Sequence, residues 1–160
     1  MLRLVLMRHA KSSWADNNQH DFDRPLNHRG IRNAKEIGLY LKQQGISVQR
    51  ILCSPAKRTQ ETLELVQEGL QVLETKLCSN LYEASLGEVL SEIQNQADCP
   101  FLMVLGHNPS ISYTGAYLAS EEIEHFPTGA VLCLDFDIQN WRDIQPHSGT
   151  IIFKKFPKEL

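Results

Sequence analysis

Short apolar runs alternate along the 160-residue chain with longer stretches in which apolar residues recur every three or four positions. The runs Leu2 to Met7, Arg50 to Cys53, Val72 to Leu77, Phe101 to Leu105, Ala130 to Asp137 and Thr150 to Phe153 read as strands, several of them apolar almost throughout, as strands covered on both faces are. Between them, Ile31, Ala34, Ile37, Gly38 and Leu41 fall on one helical face, and Leu63, Val66 and Leu70 on a second. Leu86, Val89, Leu90, Ile93 and Ala97 form a third, preceded by Ser85 and Glu88 in the spacing of a capping box. Asn108-Pro109 and Ser54-Pro55 each read as an N-cap followed by proline at the first helical position. This order predicts an α/β fold, a three-layer α/β/α sandwich around a mostly parallel sheet. The segments from Ala130 onward follow one another through short connections such as Asn140 to Ser148, which suits an antiparallel edge.

Composition narrows the class. Hydrophobic residues make up 42% and charged residues 22%, ordinary globular usage, and no linker, repeat or low-complexity tract divides the chain, so one domain over 1–160 is expected. Sixteen Lys plus Arg against nineteen Asp plus Glu leave a net charge of −3, which argues against broad attraction to nucleic acid or to an anionic membrane. The early apolar run stops at Arg8, too soon for a signal peptide or a membrane span, and a cytoplasmic location is expected. Cys53, Cys78, Cys99 and Cys133 are far apart with no CxxC pair, as reduced thiols rather than a zinc site or a disulfide framework.

The chemistry is expected at strand ends. Leu2 to Met7 runs into Arg8-His9, Arg50 to Cys53 leads through Ser54-Pro55 to Arg58, and Phe101 to Leu105 leads through Gly106 to His107-Asn108. In a parallel α/β sheet the carboxyl ends of the strands form the ligand crevice, and the helices that follow aim their partially positive N-termini at it. Two arginines and two histidines there suit a phosphate-sized anion, and the fixed positive charges oppose a metal ion. A neutral histidine can also attack phosphorus, and His9, held directly after a central strand, is the better candidate. His107 and the arginines would then stabilise the charged equatorial oxygens. Two rival signatures fit poorly. Cys53 to Arg58 has four intervening residues where a cysteine phosphatase loop needs five, and Asp135-Phe136-Asp137 is followed by Gln139 where a dehalogenase-type motif expects Thr or Val.

Met7-Arg8-His9-Ala10, the segment Ser54 to Thr62, and Gly106-His107-Asn108 together resemble the histidine phosphatase superfamily, with Ala10 in place of the glycine of its Arg-His-Gly motif. The short chain and Asp23-Arg24-Pro25-Leu26 are similar to the small SixA-type phosphohistidine phosphatases. The resemblance implies a phosphoglycerate mutase-like fold, His9 as the phosphorylated nucleophile, a pocket completed by Arg8, Arg58 and His107, and neither metal nor organic cofactor. Glu83 matches the position where larger relatives place an acidic proton donor, ahead of Asp21 and Asp23 as candidates. Asn108 would offer its N–H to phosphate and cap a helix, and Arg24 would extend the basic rim. Trp14 follows the catalytic strand, either at the site mouth or packed locally, and Lys154, Lys155 and Lys158 read as a solvated tail. The chain is too short for the lid of larger relatives, and an open groove suits a protein-borne phosphate, such as that of a histidine-containing phosphotransfer domain. A small phosphate ester as substrate and a non-catalytic phosphate-binding module are the alternatives.

Overall fold

A computed structural model describes residues 1–160. Its strands β1 (Leu2–Arg8), β2 (Ser47–Cys53), β3 (Gln71–Leu77), β4 (Phe101–Gly106), β5 (Val131–Phe136) and β6 (Thr150–Lys155) form one sheet in the order β3-β2-β4-β1-β5-β6. β3, β2, β4 and β1 are parallel, whereas β5 runs antiparallel to β1 and β6 antiparallel to β5. β5 and β6 follow one another without an intervening α-helix, as antiparallel neighbours can, whereas the parallel strands are joined through helical crossovers.

Helices α1 (His28–Gln43), α2 (Lys57–Gln67), α3 (Leu86–Gln94) and α4 (Ser110–Leu118) cover the sheet. Side chains alternate between the faces of a strand. On β1, Leu2, Leu4 and Leu6 join Val89 and Ile93 of α3 and Ile111 and Leu118 of α4 in one apolar cluster. Val5 and Met7 join Ala34, Ile37 and Leu41 of α1 and Leu63 and Val66 of α2 in the other. The central strands are therefore covered on both sides, the layered arrangement that their near-continuous apolar runs predict. β3, by contrast, is an edge strand with mostly exposed residues.

Local signals set the helix ends with mixed success. Ser85 and Glu88 do form a reciprocal capping box at the start of α3, an arrangement typically worth about 1 kcal/mol. Ser54 and Asn108 do not stand at N-cap positions. α2 begins at Lys57 behind Ala56, and α4 at Ser110 behind Pro109. Ala97 and Leu70 likewise lie beyond the ends of α3 and α2. Gly30 has a different role: a Cβ there would meet the Lys11 carbonyl oxygen at 2.0 Å, so only glycine lets the loop after β1 rest on the first turn of α1.

Candidate active site

β1 and β4 end side by side. Their register pairs Met7 with Leu105 and Arg8 with Gly106, and the His9 N–H donates to the Gly106 carbonyl at 3.0 Å. His9 and His107 thus leave adjacent strands at the same level, with ring centroids 5.2 Å apart. On the far side of β4, β2 ends at Cys53, and after three intervening residues α2 opens with Lys57-Arg58. The carboxyl edge of the sheet accordingly gathers Arg8, His9, Arg58 and His107 into one cleft of about 300 Å³, with Lys11, Trp14, Arg24 and Asn108 also on its walls.

His9 is buried, and its Nδ1 lies 2.6 Å from the Ala10 carbonyl oxygen. A carbonyl can only accept, so Nδ1 carries the hydrogen. Burial, partly countered by that hydrogen bond, and the nearby positive groups push the His9 pKa down to about 3. At neutral pH the ring is uncharged, and the Nε2 lone pair is free to attack. The loop behind it is pinned: Ala10 N–H donates to Thr62 Oγ1 at 3.1 Å, and the Thr62 hydroxyl donates to the Arg58 carbonyl at 2.7 Å.

His107 is also kept neutral, with burial first and Arg58 next lowering its pKa to about 4. Its Nε2 lies 2.7 Å from Ser54 Oγ, which also accepts the Ala56 N–H at 3.3 Å. Nε2 is the only acceptor among the partners of the Ser54 hydroxyl, so the serine hydrogen points to it, and Nδ1 carries the hydrogen of the neutral His107 ring. Ser54 therefore selects the tautomer of His107 from outside the cleft wall.

Arg8 Nε, Arg58 Nε and His107 Nδ1 are buried without a hydrogen-bond partner in the protein. Leaving a buried donor unmatched costs roughly 1–3 kcal/mol. Three such donors belong to residues of one cleft, donor chemistry of the kind that a tetrahedral oxyanion calls for. The only carboxylate bound to the cationic groups is Asp21. It accepts hydrogen bonds from Tyr82 Oη at 2.6 Å, Arg24 Nη1 at 2.9 Å and Arg58 Nη2 at 3.1 Å. Burial alone would raise its pKa, but these donors outweigh it and hold the group well below the usual carboxylate range. Asp21 is therefore ionised and orients two arginines.

The other expected residues are distributed unevenly. Arg24 is buried beneath the cleft rim, donating to the Ser13 carbonyl and to Ser12 Oγ, with its guanidinium 3.2 Å from the Trp14 ring centroid. Asn108 spends its side chain internally, donating to the Phe126 carbonyl at 2.8 Å and accepting the Ser112 N–H of α4 at 3.2 Å. Glu83 is exposed and absent from the cleft walls. Its backbone sits at φ 54°, and its neighbour Tyr82 instead sets its ring edge-on to His107, 5.6 Å between centroids. Asp23 is exposed and makes no ion pair. Tyr82, Ser54 and Asp21 are the positioning groups that spacing arguments missed or underweighted. The rival nucleophiles are placed elsewhere. Cys53 is buried, with its thiol pushed up to about 12, and Asp135 is tied to Arg3 at 2.6 Å.

Comparison with known proteins agrees with this geometry. Residues 4–127 match the model of the histidine phosphatase superfamily (branch 1), and the chain belongs to that family. It is a phosphatase of the superfamily, of the SixA type. A candidate phosphohistidine phosphatase SixA from Nakamurella multipartitia is 29% identical, with a TM-score of 0.83 covering 98% of this chain and 96% of that one. One from Agrobacterium tumefaciens is 27% identical, with a TM-score of 0.82 over 98% of each chain. An uncharacterized protein of Mycobacterium tuberculosis is 34% identical over 163 residues, covering 95% of this chain and all of that protein. The fold is thus the phosphoglycerate mutase-like α/β fold. No helix is long and apolar enough to cross a membrane.

Proposed function

We propose that this phosphatase removes phosphate from phosphohistidine on a protein, through a phosphohistidine intermediate on His9. His9 Nε2 attacks phosphorus in line as the nitrogen–phosphorus bond of the substrate breaks, and the substrate imidazole leaves with a proton. Water then attacks the phosphoenzyme, the His9–phosphorus bond breaks, and inorganic phosphate is released with His9 neutral again. Arg8, Arg58 and the Nδ1–H of His107 hold the three equatorial oxygens throughout.

The observation that carries the substrate class is the lack of a usable acid. No carboxylate lines the cleft, Asp21 is ionised, and the Tyr82 hydroxyl is driven up to about 12 by burial and by its bond to Asp21. An alcohol leaving from a phosphate ester needs a proton donor, whereas an imidazole already protonated on its other nitrogen departs as a neutral molecule. Glu83, outside the cleft, is not required for that reaction. The open mouth also suits a phosphate carried on a protein surface, and the SixA-type relatives carry the name phosphohistidine phosphatase.

Trapping with a phosphohistidine protein tests the reading. An acid-labile, base-stable phosphoenzyme that is lost in His9→Ala, with turnover reduced by about 10³-fold or more, is expected. A base-labile adduct, or higher kcat/KM for a simple phosphate ester than for phosphohistidine, would overturn it. Glu83→Gln should retain phosphohistidine turnover within about twofold, as an acid that is not needed would.

A further inference from the structure

A second recess opens beside the phosphate cleft and shares Lys11 and Thr128 with it. It is a cavity of about 230 Å³ with Lys11, Arg29, His125 and Lys158 on its walls and no carboxylate. These groups come from four segments: the loop after β1, the first turn of α1, the approach to β5 and the final turn of the chain. None is in an ion pair, whereas Arg3, Arg24, Arg32, Arg50 and Arg58 each have an acidic partner. Glu159, next to Lys158, is turned back onto the Phe156 N–H at 2.7 Å.

Two features mark the recess as an anion site rather than a chance gathering. The chain is net acidic, at −3, so local positive charge is not a by-product of general basicity. Arg29 also stands in the first turn of α1, a turn without an acidic residue, where the positive end of the helix dipole disfavours a cation. A bound anion relieves both the mutual repulsion and the dipole conflict.

We propose that the recess binds acidic side chains flanking the phosphorylated residue of the protein substrate, an inference that rests on the protein-phosphate reading above. The contrast between the two cavities selects carboxylates over a second phosphate. In the cleft, Arg58 and His107 are buried and fixed. In the recess, Lys11, Arg29, His125 and Lys158 are all exposed. Exposed lysine and arginine side chains suit carboxylates arriving on a flexible segment, and Lys11 joins the two sites so that one ligand can fill both.

The test compares two phosphohistidine peptides of equal length, with Glu or with Gln around the phosphorylated residue, on the wild-type protein and on the double variant Arg29→Glu/Lys158→Glu. The Glu peptide should have about tenfold higher kcat/KM at low salt, and the advantage should vanish in about 0.5 M salt and in the variant. Turnover of p-nitrophenyl phosphate should stay within about twofold of wild type, since neither position touches the cleft and an acidic residue in the first turn of α1 favours the helix. Equal rates on both peptides, or the same loss on the small ester, would overturn the proposal. Phosphoserine versions separate the two readings. A Glu preference there, without any preference for phosphohistidine, upholds the recess and overturns the phosphohistidine assignment. Fast phosphohistidine turnover that ignores the flanks overturns the recess alone. A fluorescent Glu-rich peptide without phosphate should also bind the variant several-fold more weakly by anisotropy, and unchanged binding counts against the proposal. A bisphosphorylated small molecule whose second phosphate, and not Glu, gives the Arg29-dependent gain would overturn the acidic segment as occupant.

Discussion

Arginine is matched by aspartate at one end of the sheet and outnumbers it at the other. At the amino end of β1, Arg3 meets Asp135 through two hydrogen bonds of 2.6 and 2.8 Å, one cation to one carboxylate. At the carboxyl end, Asp21 alone serves Arg24 and Arg58, while Arg8 has no acidic partner at all. The amino end also has the larger cavity, about 520 Å³, walled by residues such as Gln94, Asn95, Gln139 and Asn140. That cavity gathers no unmatched buried donor, and the shifted group on its walls, the Cys99 thiol, is raised chiefly by burial. Uncompensated charge and orphaned donors, rather than volume, distinguish a reactive end from a merely concave one.

Removing the surplus charge should have the largest effect. Arg8→Ala and Arg58→Ala are expected to lower kcat by about 10²–10³-fold each, as loss of a preorganised oxyanion donor does, in steady-state assays on phosphohistidine protein. Double substitution should cost less than the product of the two, because both arginines address the same phosphate. Ser54→Ala is the next step down. The His107 ring loses the hydroxyl that fixes its tautomer, so kcat should fall about tenfold with KM little changed, and Ser54→Thr should restore most of it.

The pH response sharpens the contrast through stability. His9 and His107 have folded pKa values of about 3 and 4 against an ordinary value near 6.5, so the unfolded chain binds more protons between those limits. Stability should therefore decline as pH falls from about 6.5 towards 4, by urea denaturation, and the decline should be shallower in His9→Gln. Asp21 adds a lower window: its depressed pKa stabilises the fold above the ordinary carboxylate value of about 4, and that contribution is lost on further acidification. The smallest effect is expected at the balanced end. Arg3→Ala should change stability by about 1 kcal/mol or less, since Arg3 is partly exposed, and leave kcat unaltered.

How much of this was legible in the sequence depends on the distance over which each feature is determined. Arg8-His9, Arg58 and Gly106-His107 follow strands directly, so strand recognition and the parallel-sheet rule suffice to bring them together. Asp21 was harder to rank, because its importance arises from Tyr82 and Arg58, separated from it by 61 and 37 positions. Ser54 illustrates a competition between local and distant partners. Its position before a proline suits an N-cap, yet its hydroxyl is taken by His107, 53 residues away, and α2 starts later without a side-chain cap. Glu83 and Tyr82 differ by one residue, yet the phenol meets Asp21 and the His107 ring while the carboxylate, on a residue with positive φ, is exposed. Such a turn leaves no trace in hydrophobic periodicity.

The lateral pairing of Arg8 with Gly106 has one more consequence. Because both imidazoles emerge one residue past that rung, the interval between the His9 and His107 rings is metered by backbone hydrogen bonding, near the roughly 4.8 Å separation common to all paired strands. Side-chain substitutions deep in either apolar layer can therefore loosen the protein without detuning its reactive spacing, which leaves the interior free to drift over evolutionary time while the chemistry stays in register.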